Sequence, residues 1–377
     1  MPKRRGNGDG GVSYREGRKL PWEARTTSTE NRKVIYKYFG TKDEALVWLR
    51  SINSSIDANT FIAPNKVTLN DWIQNWLNIY VKPTVRLKTY EGYADIARLH
   101  ICPFLGSYQL QSIMPADIQT LLNQKAASGL SKRTLQYIVS TLRPALKQAV
   151  LDGLIIRNPA EAVKLPRGLK PSTPKRALSR DDVRKLLIET EANQKLDLAI
   201  RVLLETGMRI GELLALSWDD VNFNTGTISV SKSLSSTKSE GRIITSPKTA
   251  SSIRTIPLTS SLVHKLMQWK ANQAEERLLI GEDYLKSDAV FTMLFGNRMR
   301  QEWLSDNLRK AANKAGVTGC SPHILRHTFA SRLMESGVDI KTAQELLGHS
   351  SSRMIIEIYA HSSEDQKRKA VELIGIS

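Results

Sequence analysis

The sequence predicts a multidomain chain, mainly α with small β elements. Short alternating apolar segments separated by polar turns fill the first 62 residues. Helical spacings punctuated by Pro and Gly follow to about residue 166, and beyond residue 177 helices alternate with one β-rich stretch. The length of 377 residues suggests two or three domains, at roughly 150 residues each. A hydrophobic content of 41% supports packed cores rather than a disordered chain.

In residues 1–62, Val12 to Tyr14, Trp22 to Thr26 and Val34 to Phe39 read as strands. Thr41 is an N-cap whose capping box is completed by Glu44, and the helix it opens carries Ala45, Leu46, Trp48 and Leu49. In residues 63–166, Leu69, Trp72, Ile73, Trp76 and Leu77 recur at helical spacing, and Pro83 ends that helix. Lys88 to Ile101, Ala116 to Ala127 and Lys132 to Leu151 are further helices, set apart by Pro103, Gly106, Gly129 and Gly153. This is a helical bundle. Residues 167–176, rich in Pro and cations, read as an exposed linker. In residues 177–377, Ser179 followed by Asp181 and Asp182 opens a helix. Thr227 to Leu234, Gly241 to Ser246 and Ile253 to Leu258 form the β-rich stretch.

Charge points to the kind of partner. The chain has 55 Lys and Arg against 37 Asp and Glu, a net +18, which favours a polyanion because each neutralised phosphate releases condensed counterions. Residues 61–170 carry 14 basic against 6 acidic side chains. No apolar run approaches the ~18 residues of a membrane span, and no apolar signal-peptide core follows the basic start MPKRRGNGDGG. Cys102 and Cys320 lie far apart, so neither a disulfide framework nor a CxxC metal site is expected. A cytoplasmic protein with no membrane partner is the expectation.

Four segments carry possible chemistry. In TGMRIGELLAL (206–216), Gly207 breaks one helix, Arg209 begins the next, and Glu212 is spaced to pair with Arg209. In SPKTASSIRTIPL (246–258), a turn between two strand-like runs carries Lys248, a position that is ordinarily just solvated. In PHILRHTFAS (322–331), His323 and Arg326 project from one helical face, where two cationic side chains need an anion or open solvent. His323 and His327 have the zinc-binding spacing of HExxH enzymes, but Ile324 occupies the place of their general base, which excludes that chemistry. In LLGHSSSRMIIEIYAH (346–361), Gly348 ends a helix, His349 follows it, and Tyr359 is the only tyrosine after Tyr284.

Each motif alone is ordinary. In this order they resemble the tyrosine recombinases, or phage-type integrases, in particular those of temperate phages and conjugative transposons of Gram-positive bacteria. That family has an Arg in a TGxRxxEL context, a Lys on a β-hairpin, HxxRH, LGH and a C-terminal Tyr. The resemblance implies Arg209, Lys248, His323, Arg326, His349 and Tyr359 as catalytic residues of a site-specific DNA recombinase with a mixed α/β catalytic domain. Lys232 and Lys238 lie near Lys248, which is preferred for its place just before the final strand. The segment RMIIEIY departs from the small hydroxyl residues common in relatives, which is expected to be a packing difference.

The implied chemistry follows from residue type. Two guanidiniums stay charged and fork onto the non-bridging oxygens of a phosphodiester. The Tyr359 phenol attacks phosphorus, His323 assists its deprotonation, His349 donates to the transition state, and Lys248 protonates the departing 5′-oxygen. The arginines neutralise the charge, so no metal or cofactor is expected. The resemblance further implies a core-binding role for the bundle and an arm-type DNA-binding role for the N-terminal sheet, with Arg15, Arg18, Arg25, Lys33 and Lys37 as contact candidates. It also implies a homotetramer on double-stranded DNA, joined by a tail containing Ala370, Val371, Leu373 and Ile374. An excision factor or a DNA-bending host protein is an expected helper. A chromosome-dimer resolvase of the same family and a catalytically inactive DNA-binding regulator are the alternatives. The added N-terminal region argues against the first, and the complete residue set against the second.

Overall fold

The computed structural model of the chain describes residues 10–27, 34–58, 62, 64–169, 176–246 and 252–348. The chain divides into two compact units, Met1–Ser172 and Thr173–Ser377.

The first unit opens with an antiparallel sheet of β1 (Gly11–Tyr14), β2 (Trp22–Thr27) and β3 (Val34–Phe39), followed by α1 (Lys42–Asp57). The capping box expected at Thr41 forms: the Thr41 hydroxyl accepts from the Glu44 amide, and the Glu44 carboxylate from the Thr41 amide, both at 3.3 Å. Ala24 of β2 stands opposite Val12 and Lys37, and it is buried together with Ala45 and Leu49 of α1. Trp22, Phe39 and Trp48 close this small core.

The bundle consists of α2 (Leu69–Trp76), α3 (Leu87–Ile96), α4 (Cys102–Leu105), α5 (Pro115–Ala127) and α6 (Lys132–Leu151). α2 and α3 each run on into a wide π-type turn, Leu77–Val81 and Ala97–Ile101, a departure from the regular helices expected there. Thr68 and Ser131 cap α2 and α6 through their hydroxyls. The apolar face of α2 lies in the bundle core, and the Trp72 indole donates to the Ala145 carbonyl at 2.8 Å. Arg143 of α6 donates to the carbonyls of Ala160 and Val163 at 3.1 and 3.3 Å, tying the chain after the bundle back onto it.

The second unit is built around α8 (Gln194–Thr206), whose residues are buried on nearly every side. Around it stand α7 (Arg180–Thr190), α9 (Ile210–Ala215), α10 (Ser260–Ile280), α11 (Gln301–Lys314), α12 (Pro322–Glu335) and α13 (Ile340–Leu347). Ser179 caps α7 as expected, and Asp182 completes a capping box with it. The strands β4 (Val221–Asn222), β5 (Thr227–Val230) and β8 (Arg254–Pro257) form one antiparallel sheet. A separate hairpin pairs β6 (Ser233–Thr237) with β7 (Gly241–Thr245).

This β arrangement corrects two expectations. The run Thr227 to Leu234 is not one strand: it breaks after Val230 and supplies strands to two sheets. The strands on either side of Lys248 do not pair with each other, since β7 pairs with β6 and β8 with β5. Alternation explains the choice of partner, because Arg254 and Ile256 of β8 are buried opposite Val230 and Ile228 of β5. The lysine at the β6–β7 turn is Lys238.

Among the described residues no helix is long and apolar enough to cross a membrane.

Gly207, at φ +61°, ends α8 in the left-handed conformation that lets α9 start in a new direction. A Cβ there would lie 2.2 Å from the Phe329 ring. Gly207→Ala is expected to destabilise the second unit by about 2 kcal/mol or more, through backbone strain and overpacking. Urea denaturation followed by circular dichroism measures it, and an unchanged midpoint would contradict this packing.

Candidate active site

The site grows from one short helix. Arg209 is the N-cap of α9, and its amide donates to the Glu212 carboxylate at 2.9 Å. Its guanidinium returns to the same carboxylate at 2.7 Å, so the pairing expected from the spacing is present. Glu212 is buried and takes a second cation, because Arg254 Nη2 donates to it at 2.8 Å. Burial alone would push the Glu212 carboxyl up. The hydrogen bond and charge of Arg254, with the amide and charge of Arg209, outweigh it and hold the carboxyl below its ordinary value. Arg209 remains 43% exposed while Arg254 is only 5% exposed.

Arg326 comes from α12, whose first turn is set by Pro322 and by the Ser321 hydroxyl accepting from the Ile324 amide. The spacing of His323 and Arg326 suggested two cations directed at an anion or at solvent. The structure separates them: His323 is exposed, whereas Arg326 is buried and donates to backbone carbonyls, to Gly207 through Nη1 and to Leu347 through Nη2 at 2.6 Å. Both acceptors lie at helix C-termini, where the unsatisfied carbonyls carry negative partial charge, so a buried cation finds favourable surroundings without a carboxylate of its own. Burial, reinforced by the charge of Arg209, pushes the Arg326 guanidinium down to about 9. It remains cationic at neutral pH.

Three guanidiniums converge on the end of α13. Arg254 Nε donates to the Leu346 carbonyl at 2.7 Å, Arg326 to Leu347 at 2.6 Å, and Arg209 Nη2 makes a long contact to Gly348 at 3.4 Å. Three consecutive carbonyls of one helix end are thus met from β8, α12 and the start of α9. Gly348 closes α13 at φ +62°. Three guanidiniums against one carboxylate leave the cluster electropositive. Such a cluster suits an anion with several oxygens, phosphate above all.

The far end of α9 is held as firmly. Arg298 donates to the carbonyls of Leu214, Ala215 and Leu216 at 3.4, 3.0 and 2.9 Å, and it pairs with Asp288 at 2.8 Å. The carbonyl of Arg298 accepts from Arg242 of β7 at 2.7 Å. Lys232, one of the alternative lysines, is engaged with Asp220 at 3.2 Å. Among the described residues no group of three or more His, Cys, Asp or Glu could hold a metal ion.

Of the six residues expected to be catalytic, the structure brings Arg209 and Arg326 together and places His323 at the start of α12. Lys248, His349 and Tyr359 lie outside the described residues, as do Lys33 and the tail. The arm-region candidates do not share one face. Arg25 stands opposite Tyr36, whereas Lys37 stands opposite Ala24 on the other side of the sheet. Arg15 is ion-paired with Glu23 at 3.1 Å, and the Arg18 guanidinium lies 4.5 Å from the Tyr38 ring centre. Sequence reasoning missed Arg254 and Arg298. Arg254 left a signal, an arginine sharing the inward positions of a strand with Ile256. Arg298 left none, because the carbonyls it caps are more than eighty residues away in the chain.

The chain matches the phage integrase family over residues 176–366 and the SAM-like N-terminal domain of phage integrases over residues 68–126. It is 31% identical to a protein named tyrosine recombinase XerC-like from Caldanaerobacter subterraneus subsp. tengcongensis, over 92% of this chain and 93% of that one. It is 30% identical to an integrase from Streptomyces ambofaciens, over 95% of this chain and 94% of that one. Among solved structures it resembles the Tn1549 transposon integrase in complex with a circular intermediate DNA, with a TM-score of 0.70 at 26% identity, covering 82% of this chain and 100% of that one. The site therefore sits in a DNA strand-exchange enzyme of the tyrosine recombinase class. The chain belongs to the phage integrase family, and the proteins it resembles include integrases, one of them of a transposon.

Glu212→Gln is expected to lower stability at pH 7 by about 3–5 kcal/mol, the usual result of breaking a buried pair. The Glu212 carboxyl is held below its ordinary value of 4.5, so its contribution is full above that pH and drains away as pH falls through the folded value. The gap between wild type and variant should therefore narrow in acid. Melts of both proteins from pH 7 to pH 3 check this, and a constant gap would contradict it.

Proposed function

We propose that this recombinase cuts and rejoins DNA through a 3′-phosphotyrosyl link on Tyr359, with Arg209 and Arg326 as the phosphate clamp. The observation that carries this reading is the meeting of those two guanidiniums at successive carbonyls of the α13 end, immediately before His349. A phosphodiester repels nucleophiles, and its transition state spreads negative charge over the non-bridging oxygens. Two fixed cations lower that barrier without reorganising during the reaction. The Tyr359 phenol, with an intrinsic pKa of about 10, gives its proton to His323 as its oxygen bonds to phosphorus. The bond to the 5′-oxygen breaks, and Lys248 supplies the proton that turns this leaving group into a hydroxyl. His349 donates a further hydrogen bond to the phosphoryl oxygens. The phosphotyrosyl bond conserves the phosphodiester energy, so a second 5′-hydroxyl reverses the step without ATP.

Residues 63–166 act in this reading as the core-binding domain, residues 177–377 as the catalytic domain, and residues 167–176 as the linker that lets both grip one duplex. Residues 1–62 act as an arm-type DNA-binding domain. Its open sheet face, with Arg25 beside Tyr36 and Arg18 against Tyr38, is the better candidate for the contact. Four copies assemble on double-stranded DNA through the C-terminal tail, in the cytoplasm, with an excision factor or a DNA-bending protein setting direction.

Incubation with a nicked duplex spanning the junction between the element and its host DNA should trap a covalent protein–DNA adduct. Tyr359→Phe should bind the duplex and form none. An adduct that survives Tyr359→Phe, or no adduct with the wild-type chain, would overturn the assignment.

A further inference from the structure

We propose that Arg254 is a positioning residue for strand cleavage: it orients Arg209 through Glu212 and fixes the end of α13 in the same frame. This rests on the reading of Arg209 as part of the phosphate clamp. The donor geometry supports it. Nη2 reaches Glu212 at 2.8 Å, Nε the Leu346 carbonyl at 2.7 Å, and Nη1 the Ser252 carbonyl at 3.2 Å. Each nitrogen of the fork is committed to protein, and the side chain is 5% exposed. With Nε and both Nη atoms engaged, Arg254 acts here as a brace, whereas the likewise buried Arg326 is held through its two Nη atoms. Arg209, which shares the Glu212 carboxylate with Arg254, keeps 43% exposure and can be a phosphate ligand.

The elements joined by this guanidinium are far apart in sequence. Glu212 sits in α9, Leu346 at the end of α13, and Ser252 just before β8, on the segment leading from Lys248. A planar fork with fixed donor directions holds three acceptors in a defined relation, which a flexible ammonium cannot do. The fit is close on the α13 side as well. A Cβ on Gly348 would lie 2.8 Å from Arg254 Nη1 and 3.0 Å from its Cδ. A shift of about 1 Å in a reacting group costs roughly 100-fold in rate, so loosening this fork slows chemistry while leaving DNA affinity in place.

The test is single-turnover adduct formation on the nicked junction duplex, read as rate constant and amplitude, beside equilibrium binding of the same duplex. Arg254→Lys is expected to bind with unchanged affinity and to form adduct about 100-fold more slowly. Because both residues act on Arg209, the Glu212→Gln/Arg254→Lys double variant should be no slower than the slower single one. Where Arg254→Lys does not fold, Gly348→Ala crowds the same guanidinium without changing a charge and should also lower the rate constant. A purely structural role would reduce amplitude and melting temperature while leaving the rate constant of the active fraction unaltered, and that result overturns the proposal. So do effects of Glu212→Gln and Arg254→Lys that multiply, or a Gly348→Ala rate equal to wild type when Arg254→Lys cannot be prepared. Failure of the wild-type chain to form any adduct would instead defeat the clamp reading itself, and this proposal with it.

Discussion

The second unit depends on the meeting of three guanidiniums with the C-terminal carbonyls of α13, around the carboxylate of Glu212. Buried cations are expensive, and effective desolvation amounts to several kcal/mol per ion. The fold offsets this by directing helix C-termini at the charge. Gly207 and Leu347 give their carbonyls to Arg326, Leu346 gives its carbonyl to Arg254, and Glu212 bridges Arg254 to Arg209. Removing Glu212 would leave buried like charges facing one another. Its depressed pKa expresses the same fact as proton linkage.

This arrangement separates two roles that the same side chain can play. Arg254 spends its donors on protein and stays inside. Arg209 uses Glu212 as a brace and keeps its outer surface toward solvent. Arg326 lies between these extremes, buried and held among the described residues by carbonyls, with a guanidinium pushed down to about 9. A phosphate placed against it would supply the counter-charge that the protein withholds. At the opposite end of α9, Arg298 caps three successive carbonyls, so the short helix that carries Arg209 and Glu212 is anchored at both ends.

Much of this was legible in the sequence. Thr41 with Glu44 announced a helix start because a capping box is a local code, and Ser179 ahead of Asp181 and Asp182 announced another through its cap and acidic first turn. Gly207 and Gly348 announced helix ends because the left-handed turn selects glycine. Arg209 with Glu212 was visible as an i,i+3 pair. What the sequence hid was long-range. Alternating residues from Thr227 to Leu234 read as one strand, and only the choice of partner, β8 for one half and β7 for the other, divides them. The HxxR spacing suggested a shared cationic face, but it could not show that carbonyls from α8 and α13 would enclose Arg326. Arg298 carries no local signal, since the carbonyls it caps are brought to it only by the fold.

In the proposed reaction the guanidinium cluster neutralises a phosphate. Single-turnover cleavage of two matched duplexes tests it most directly, one with a normal scissile phosphate and one with an uncharged methylphosphonate at that position. On the phosphate duplex, Arg209→Ala should lose about 100-fold or more in rate, the usual effect of removing one such donor. On the methylphosphonate duplex most of that loss should disappear, because there is less charge to neutralise. An equal loss on both duplexes would contradict the account.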